Sequence, residues 1–287
     1  MYYMLILIAV VTFGGNFALN DVYRKLRGSD FASSMESSFI GSVAGLIVLF
    51  AISGFDFQVT RFTLWIALLK ALCSVGFTLC SFKALDTVNL SLYSLFSMLG
   101  GMVLPFFQGI LFYDEPMTVA KIVCVVCIGV ALSLTVSRNA DKKSGAIYYI
   151  GVFVLNGMVG VLSKIFTAAP CEKTNAEWFS IWCAVFTAML AAIGWLCYRK
   201  KSIAPRFTGK ALLVGSVNGI MNRVANFLLV IALVHVEASV QYPMITGGVM
   251  IVSTLICYLQ KNKPTKKEIL SVGFAFVGML ALFLIKI

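Results

Sequence analysis

Long apolar runs alternate along this chain with short breaks that carry charged residues, glycine or proline. Ten such runs can be marked off, and each is close to the roughly 20 residues that a helix needs to cross a bilayer. The pattern therefore predicts ten transmembrane helices joined by short loops. The predicted spans are 2–20, 33–53, 62–82, 89–112, 119–136, 146–167, 177–197, 211–233, 239–259 and 268–286.

The second half of this pattern repeats the first at a shift of 148 residues. In that alignment 84–118 lies over 232–266, and eight positions are identical. Because each half holds an odd number of spans, the halves would cross the membrane in opposite directions. We therefore predict two inverted five-helix repeats, 1–138 and 139–287, around a central cavity, as in many secondary transporters. The identities include Ala84/Ala232, Ser91/Ser239, Gly100/Gly248 and Pro116/Pro264.

Composition agrees with a membrane protein. Hydrophobic residues make up 60 % of the chain and charged residues 12 %, with a mean hydropathy of +0.94. A soluble domain has about a quarter charged residues. The first apolar run has no basic leader and no clear cleavage site, so it is predicted to be a retained span. The net charge of +11 lies mainly in loops and predicts contact with lipid headgroups, not with nucleic acid.

The basic residues are distributed unequally between the two sides. Of the 23 Lys and Arg residues, sixteen lie in loops that follow odd-numbered spans and five lie on the opposite side. The positive-inside rule therefore places both termini outside the cytoplasm.

Polar residues recur at a spacing of four in several spans, which places each set on one helix face. The repeat also aligns Lys70 with Asn218 and Ser74 with Asn222, so equivalent helices would present equivalent polar faces to one cavity. The alternative is that these side chains are packing contacts between helices. The sets are Thr12, Asn16 and Asn20; Lys70, Ser74 and Thr78; Asn89, Tyr93 and Ser97; and Asn218, Asn222 and Asn226.

The sign of the charges inside the spans restricts the class of ligand that the protein can bind. Lys70 and Arg223 lie well inside their spans, whereas every acidic residue lies in a loop or within about one turn of a span end. Glu36 is the one candidate for a proton relay. Lys164 lies near a helix end and is expected to reach towards the headgroups. Cations and amides without an acid favour a carboxylate, a phosphate or a zwitterion over a lipophilic cation.

Short motifs in a fixed order carry a family resemblance. With them the chain resembles the drug/metabolite transporter superfamily and, within it, the EamA-type ten-helix exporters, over its whole length and more clearly in the first half. The motifs are Phe13-Gly14-Gly15-Asn16-Phe17, Phe82-Lys83-Ala84-Leu85 followed by Leu90-Ser91, Asp114-Glu115-Pro116-Met117-Thr118, and Gly129-Val130.

The resemblance implies a ten-helix basket in the plasma (cytoplasmic) membrane that moves small metabolites, often amino acids, outward. It makes 1–138 and 139–287 two EamA-like repeats. Two features depart from the family. Lys263 stands where the second repeat would have its counterpart of Glu115. The family has both termini in the cytoplasm, against the charge count, so the orientation of the termini stays open.

These observations predict a secondary active transporter, by the resemblance an exporter, of small polar metabolites such as amino acids or related carboxylates, working by alternating access. Phosphorylated metabolites or nucleotide sugars are the alternative substrates. The alternative from another functional class is a membrane-embedded enzyme or a passive pore. An enzyme would need an acid–base group at membrane depth, whereas the single histidine, His235, lies in a loop. We expect no cofactor, and the partners are a small-molecule substrate and the bilayer. It stays open whether transport is coupled to a proton or ion gradient, and whether the protein is a monomer or a homodimer.

Two sets of residues are predicted to serve transport. The glycines and prolines of spans four and nine are expected to act as hinges or close packing points. These are Gly100, Gly101, Pro105, Pro243, Gly247 and Gly248. The predicted substrate-binding set is Asn16, Lys70, Ser74, Tyr93, Ser97, Asn222, Arg223, Asn226, Gln241 and Tyr242.

Overall fold

A computed structural model describes residues 2–28, 30–54, 56–87, 90–135, 146–199, 207–259 and 266–284. Over these residues the chain forms ten α-helices and no strand, which confirms the all-α prediction. The helices are α1 (Tyr2–Arg27), α2 (Phe31–Ile52), α3 (Arg61–Thr87), α4 (Leu90–Phe112), α5 (Val119–Thr135), α6 (Ala146–Ala168), α7 (Ala176–Tyr198), α8 (Gly209–Leu233), α9 (Ala238–Leu259) and α10 (Lys266–Leu284).

Two helices continue well past the spans that hydropathy predicted. α1 ends at Arg27 instead of near residue 20, and α3 ends at Thr87 instead of near residue 82. Hydropathy marks where a helix leaves the apolar layer, not where its hydrogen bonds stop. α1 stops at Gly28, which has a φ of +84° and donates its N–H to the carbonyl of Arg24. A glycine with positive φ is a common helix terminator.

Three helix starts are set by side chains that accept a backbone N–H of the first turn. Asp30 accepts from Ser33, Asn175 from Trp178 and Thr208 from Ala211. Each bond satisfies one of the N–H groups that have no partner inside a helix. These caps fix where α2, α7 and α8 begin.

Within the described residues, seven helices are long and apolar enough to cross a membrane, namely α1, α2, α3, α6, α7, α8 and α9. The described apolar parts of α4, α5 and α10 are shorter. Large apolar side chains such as Phe112, Ile147 and Leu111 are exposed on the outer surface of the bundle. A soluble monomer rarely exposes so much apolar surface. The structure thus supports a multi-pass membrane protein.

The helices of the two halves, α1–α5 and α6–α10, pack mainly against one another. α1 packs on α8 and α9, while α6 packs on α3 and α4; α2 packs on α7 and α8, while α7 packs on α2 and α3. α4 also packs on α9, and α5 on α10. Each of these contacts has a counterpart in which both helices are replaced by their equivalents in the other half. The contact of α1 with α8, for example, corresponds to the contact of α6 with α3.

The two ends of the bundle differ in charge. Odd-numbered helices finish at one end, which we call the basic end because most Lys and Arg residues belong to its loops. Even-numbered helices finish at the other end, which we call the far end. Ring contacts agree with this assignment. Phe31 meets Tyr198 at the basic end, whereas Tyr2 stacks on His235 at the far end.

Backbones approach most closely where α2 crosses α8. Gly41 and Gly219 face each other there, and a Cβ on Gly219 would overlap the backbone of Gly41. Small residues at a crossing allow helices to approach at backbone distance in a membrane. This crossing holds a helix of the first half directly against a helix of the second.

We expect Gly219→Ala to lower the melting temperature in detergent, because the added methyl group must push α2 and α8 apart. Overpacking of this kind costs about 1–3 kcal/mol. Gly273→Ala is the matched control, since a Cβ there meets no atom within 4 Å. It should leave stability unchanged or raise it slightly, because alanine favours a helix over glycine. Equal melting temperatures for the two variants would contradict the close crossing.

Candidate functional site

Lys70 is buried in the middle of α3, with 6 % of its surface exposed. Its ammonium donates to the hydroxyl of Ser163 on α6, with a distance of 2.7 Å. It also lies 5.1 Å from the ring centroid of Phe179 on α7. The charge of Lys70 is therefore met by a hydroxyl dipole and a ring face.

Arg223 lies in the middle of α8, and its stem crosses the glycine face of α2. A Cβ on Gly45 would overlap the Cβ and Cγ of Arg223. The guanidinium donates through one terminal nitrogen to the hydroxyl of the buried Ser42, at 2.6 Å. Glycine at position 45 therefore makes the room that this arginine needs between α2 and α8.

Lys70 and Arg223 are close enough for their positive charges to repel each other. In the part of the chain that the structure describes, neither cation contacts a carboxylate. A buried charge without an opposite charge is expensive, and the cost falls when an anion or water reaches it. This pair of cations is the most unusual electrostatic feature of the molecule.

A network of asparagines connects α1 to α8. Asn16 donates to the carbonyl of Asn218 at 2.7 Å, and Asn218 donates to the side chain of Asn20 at 2.7 Å. The amide oxygen of Asn218 is buried without a hydrogen-bond partner. Two of the predicted polar faces therefore meet, with Asn16 joined to Asn218, the repeat equivalent of Lys70.

Other predicted residues bond within their own helix. Ser74 donates to the carbonyl of Lys70 at 2.9 Å, and Asn226 donates to the carbonyl of Asn222 at 2.9 Å. Such bonds to the preceding turn satisfy the polar groups locally. The hydrogens used in these bonds are therefore not donated to a neighbouring helix.

The predicted residues of α4 and α9 form hydrogen bonds with residues of the second half. Ser97 is buried and accepts at its carbonyl from Asn156 of α6, at 2.7 Å. Tyr242 donates to the carbonyl of Gly160 at 3.0 Å. Gln241 donates to the carbonyl of Leu229 at 3.0 Å, and its amide oxygen is buried without a partner. The side chain of Tyr93 lies outside the described residues.

The predicted hinge and packing residues lie at helix contacts. A Cβ on Gly100 would overlap the carbonyl of Phe153 on α6. A Cβ on Gly248, its repeat equivalent, would meet Val10 of α1. The others also occupy α4 and α9: Gly101 faces Asn156, Pro105 faces Gly160, Gly247 faces Met279, and Pro243 lies inside α9. The four glycines and Pro105 thus pack closely against neighbouring helices. A role of the six residues in transport, as hinges or as packing points, stays a prediction.

A buried cluster of polar contacts around one glutamate, at the far end, was not part of the predicted site. Glu115, in the loop between α4 and α5, pairs with Lys164 of α6 at 2.7 Å. It also accepts the backbone N–H groups of Ala238 and Ser239 at the start of α9, and the hydroxyl of Ser239. We call these four residues the Glu115 cluster. Beside it, Lys121 of α5 pairs with Glu237.

The expectation that Lys164 reaches the headgroups is wrong. Lys164 is 9 % exposed, and its ammonium forms an ion pair with Glu115. The same ammonium lies 5.2 Å from the ring centroid of Tyr113. A sequence signal existed, because Glu115 belongs to the acidic turn of the family-like motif. Hydropathy alone does not reveal which buried cation such a glutamate meets.

Glu36, the candidate proton relay, is engaged at the basic end. Arg27 binds both of its carboxylate oxygens at 2.7 Å, and Tyr23 donates to one of them at 2.8 Å. A two-point bond between arginine and a carboxylate is strong and directional. This bond ties the end of α1 to the start of α2.

A cavity of about 220 Å³ lies at the basic end between α2, α3 and α6. None of the predicted binding residues lines it. Its walls are formed by Phe31, Ser34, Leu79, Cys80, Phe82, Lys83 and Tyr148.

No family model matches the sequence, and no curated protein matches it. The fold itself is shared with solved proteins. One crystal structure of a protein superposes with a TM-score of 0.77, over 98 % of this chain and 95 % of that chain, at 14 % identity. Likeness at this level of identity concerns the fold alone.

The pKa of Glu115 follows from its contacts. Burial raises the pKa of this carboxyl, but hydrogen bonds from Lys164, Ser239 and Ala238 outweigh burial and hold the pKa below its usual range. A carboxyl with a lower pKa in the folded chain stabilises the fold above its unfolded pKa. That contribution is lost as the pH falls through the folded value.

We therefore expect Glu115→Gln to lower the melting temperature most at neutral pH, by an amount equivalent to about 3 kcal/mol. The difference from the parent should shrink as the pH falls below 4.5, the ordinary value for glutamate. Melting curves in detergent between neutral pH and about pH 3.5 measure it. Glu237→Gln is the control, because the side chain of Glu237 is 43 % exposed and the pair is weaker. A difference that does not change with pH would contradict the argument.

Proposed function

We propose that this protein is a secondary transporter of small metabolites that carry a carboxylate, with amino acids as the first candidates. The observation that carries the proposal is a pair of cations inside the bundle, the buried Lys70 and the partly buried Arg223, which have no carboxylate partner among the described residues. An anionic group that reached both would offset the cost of removing these charges from water. Arginine is also suited to bind a carboxylate at two points.

Amino acids are favoured over phosphorylated metabolites because acceptors are present as well. The amide oxygens of Asn218 and Gln241 are buried without a hydrogen-bond partner. An ammonium group donates up to three hydrogen bonds and needs such acceptors. Asn218 lies on α8 five residues before Arg223, so this helix carries both an acceptor and a cation.

Movement of the substrate would follow from the relation between the halves. In this proposal 1–138 and 139–287 are inverted repeats that rock around the cation site. The packing supports this, because each helix pair is matched by the pair five helices further along. The 148-residue repeat and the EamA-like motifs support it independently. Inverted repeats with a site between them are a common basis of alternating access.

Phosphorylated metabolites or nucleotide sugars remain the second candidate, since two cations also suit a phosphate. An enzyme is less well supported. His235 stacks on Tyr2 with centroids 3.9 Å apart, and Glu237 pairs with Lys121. Neither is placed as a general base beside a nucleophile.

The first test is ligand-dependent stability of the purified protein. A ligand that binds only the folded state stabilises it by about 2.7 kcal/mol at 100 times its dissociation constant. We expect amino acids or organic acids to raise the melting temperature, and Lys70→Gln and Arg223→Gln to abolish the rise. Lys210→Gln is the matched control, because it removes an exposed cation from the same helix as Arg223.

A response to a different class of compound would show which part of the proposal is wrong. A rise only with sugar phosphates would replace the carboxylate by the second candidate. A rise only with lipophilic cations, or full binding in Arg223→Gln, would refute the role of the cation pair.

The second test separates a transporter from a pore. Proteoliposomes loaded with unlabelled ligand should accumulate labelled ligand above its outside concentration, because an alternating carrier exchanges the two. A pore only equilibrates the label. Arg223→Gln should lose this accumulation, and equilibration without accumulation in the parent would contradict the transporter proposal.

A further inference from the structure

The Glu115 cluster joins the two halves of the chain at the far end. Glu115 comes from the first half, whereas Lys164 and the start of α9 belong to the second half. The carboxyl fits beside α4 because Gly109 has no side chain; a Cβ there would overlap it. Helices α6 and α9 cannot move away from the α4–α5 loop without breaking these bonds.

The bonds of the cluster are of the strong kind. One carboxylate, 7 % exposed, receives an ammonium, two backbone N–H groups and a hydroxyl. The positive end of the α9 dipole adds to the attraction. Bonds to an ionised acceptor in a buried place are about twice as strong as neutral ones.

The cluster lies between the cation site and the far end. Ser163 accepts from Lys70, and the next residue of α6, Lys164, pairs with Glu115. On α9, Tyr242 is one turn from Ser239. The cluster therefore adjoins the cation site, one residue further towards the far end along α6.

The repeat does not supply the same contact at the basic end. At a shift of 148 residues, Glu115 aligns with Lys263 and Lys164 aligns with Asn16. A lysine and an asparagine cannot form this ion pair, and Lys263 lies outside the described residues. Asn16 instead binds the carbonyl of Asn218 at 2.7 Å.

From this asymmetry we infer that the Glu115 cluster is a one-sided lock, which keeps the far end closed in the resting protein and must break before that end opens. The inference rests on the proposed alternating access. It assigns to Glu115 a role in gating, not in binding the substrate. Because the aligned residues Lys263 and Asn16 cannot form the same ion pair at the basic end, we expect the protein at rest to favour the conformation that opens there.

Two cysteine reporters test the lock without any substrate. Cys80 is native and lines the cavity at the basic end. Gln108→Cys places a thiol on α4 at a position that is 9 % exposed and adjacent in the chain to Gly109, against which the carboxyl of Glu115 packs. A water-soluble maleimide is applied to the detergent-purified protein, and labelling of each cysteine is followed by peptide mass spectrometry.

Breaking the lock should expose only the far-end reporter. We expect Glu115→Gln to raise the labelling rate at position 108 at least about tenfold, which corresponds to about 1.4 kcal/mol. The rate at Cys80 should not rise. Ser239→Ala removes one of the four donors and should give a smaller rise, so the test survives if Glu115→Gln folds poorly. Glu237→Gln should change position 108 by less than about twofold, because its pair is partly exposed.

Two outcomes would overturn the lock. One is a rate at position 108 that stays within about twofold of the parent in both lock variants. The other is a rise at both reporters together, which signals general loosening. Failure of the proposed substrate class is distinct, because it appears in the ligand panel while the reporters still respond. If ligand binding depends on Arg223 but the reporters do not respond, only the lock is wrong.

Discussion

Burying charge in a helical bundle constrains this structure more than any other interaction. A charge at membrane depth needs an opposite charge, dipoles or water, because the surroundings cannot solvate it. The chain satisfies this at its ends, where Arg27 meets Glu36 and Lys164 meets Glu115. In the middle, Lys70 and Arg223 meet the dipoles of serine hydroxyls, and neither contacts a carboxylate among the described residues. Opposite charges therefore connect helices near the ends of the bundle, whereas the two cations in the middle are compensated less completely.

Close packing makes this arrangement possible. The stem of Arg223 fits between α2 and α8 only because Gly45 has no side chain, and one turn earlier Gly41 meets Gly219. Likewise Gly109 leaves space for the carboxyl of Glu115. A long polar side chain buried between helices needs a small residue opposite it, so glycines and charges occur together here for one steric reason.

Much of the fold could be predicted from the sequence, because hydropathy reports directly on which segments prefer an apolar layer. All ten helices occur where apolar runs were found, although α1 and α3 continue further since polar residues also form helices. The location of Lys70 and Arg223 inside helices was equally readable. Their partners were not, because Ser163 and Ser42 are ordinary residues in sequence and become partners only through helix packing.

The misjudgement of Lys164 has the same origin. Position in a helix suggests snorkelling, but the choice between lipid headgroup and a buried carboxylate depends on a loop that is far away in sequence. The acidic turn that holds Glu115 was noticed as a motif, yet the motif contains nothing that names its partner. Contacts between the halves are the information that a pattern along one chain lacks.

Comparison of aligned positions shows which features the two halves share. Small packing residues persist at a shift of 148, as with Gly100 and Gly248, or Ala71 and Gly219. The charges of the cation site and of the Glu115 cluster do not persist, since Lys70 aligns with Asn218 and Glu115 with Lys263. In the proposed transporter, symmetric packing would allow two related arrangements of the helices, whereas asymmetric charge would give the two arrangements different free energies. A carrier built in this way would have a preferred resting state without any change in its helical framework.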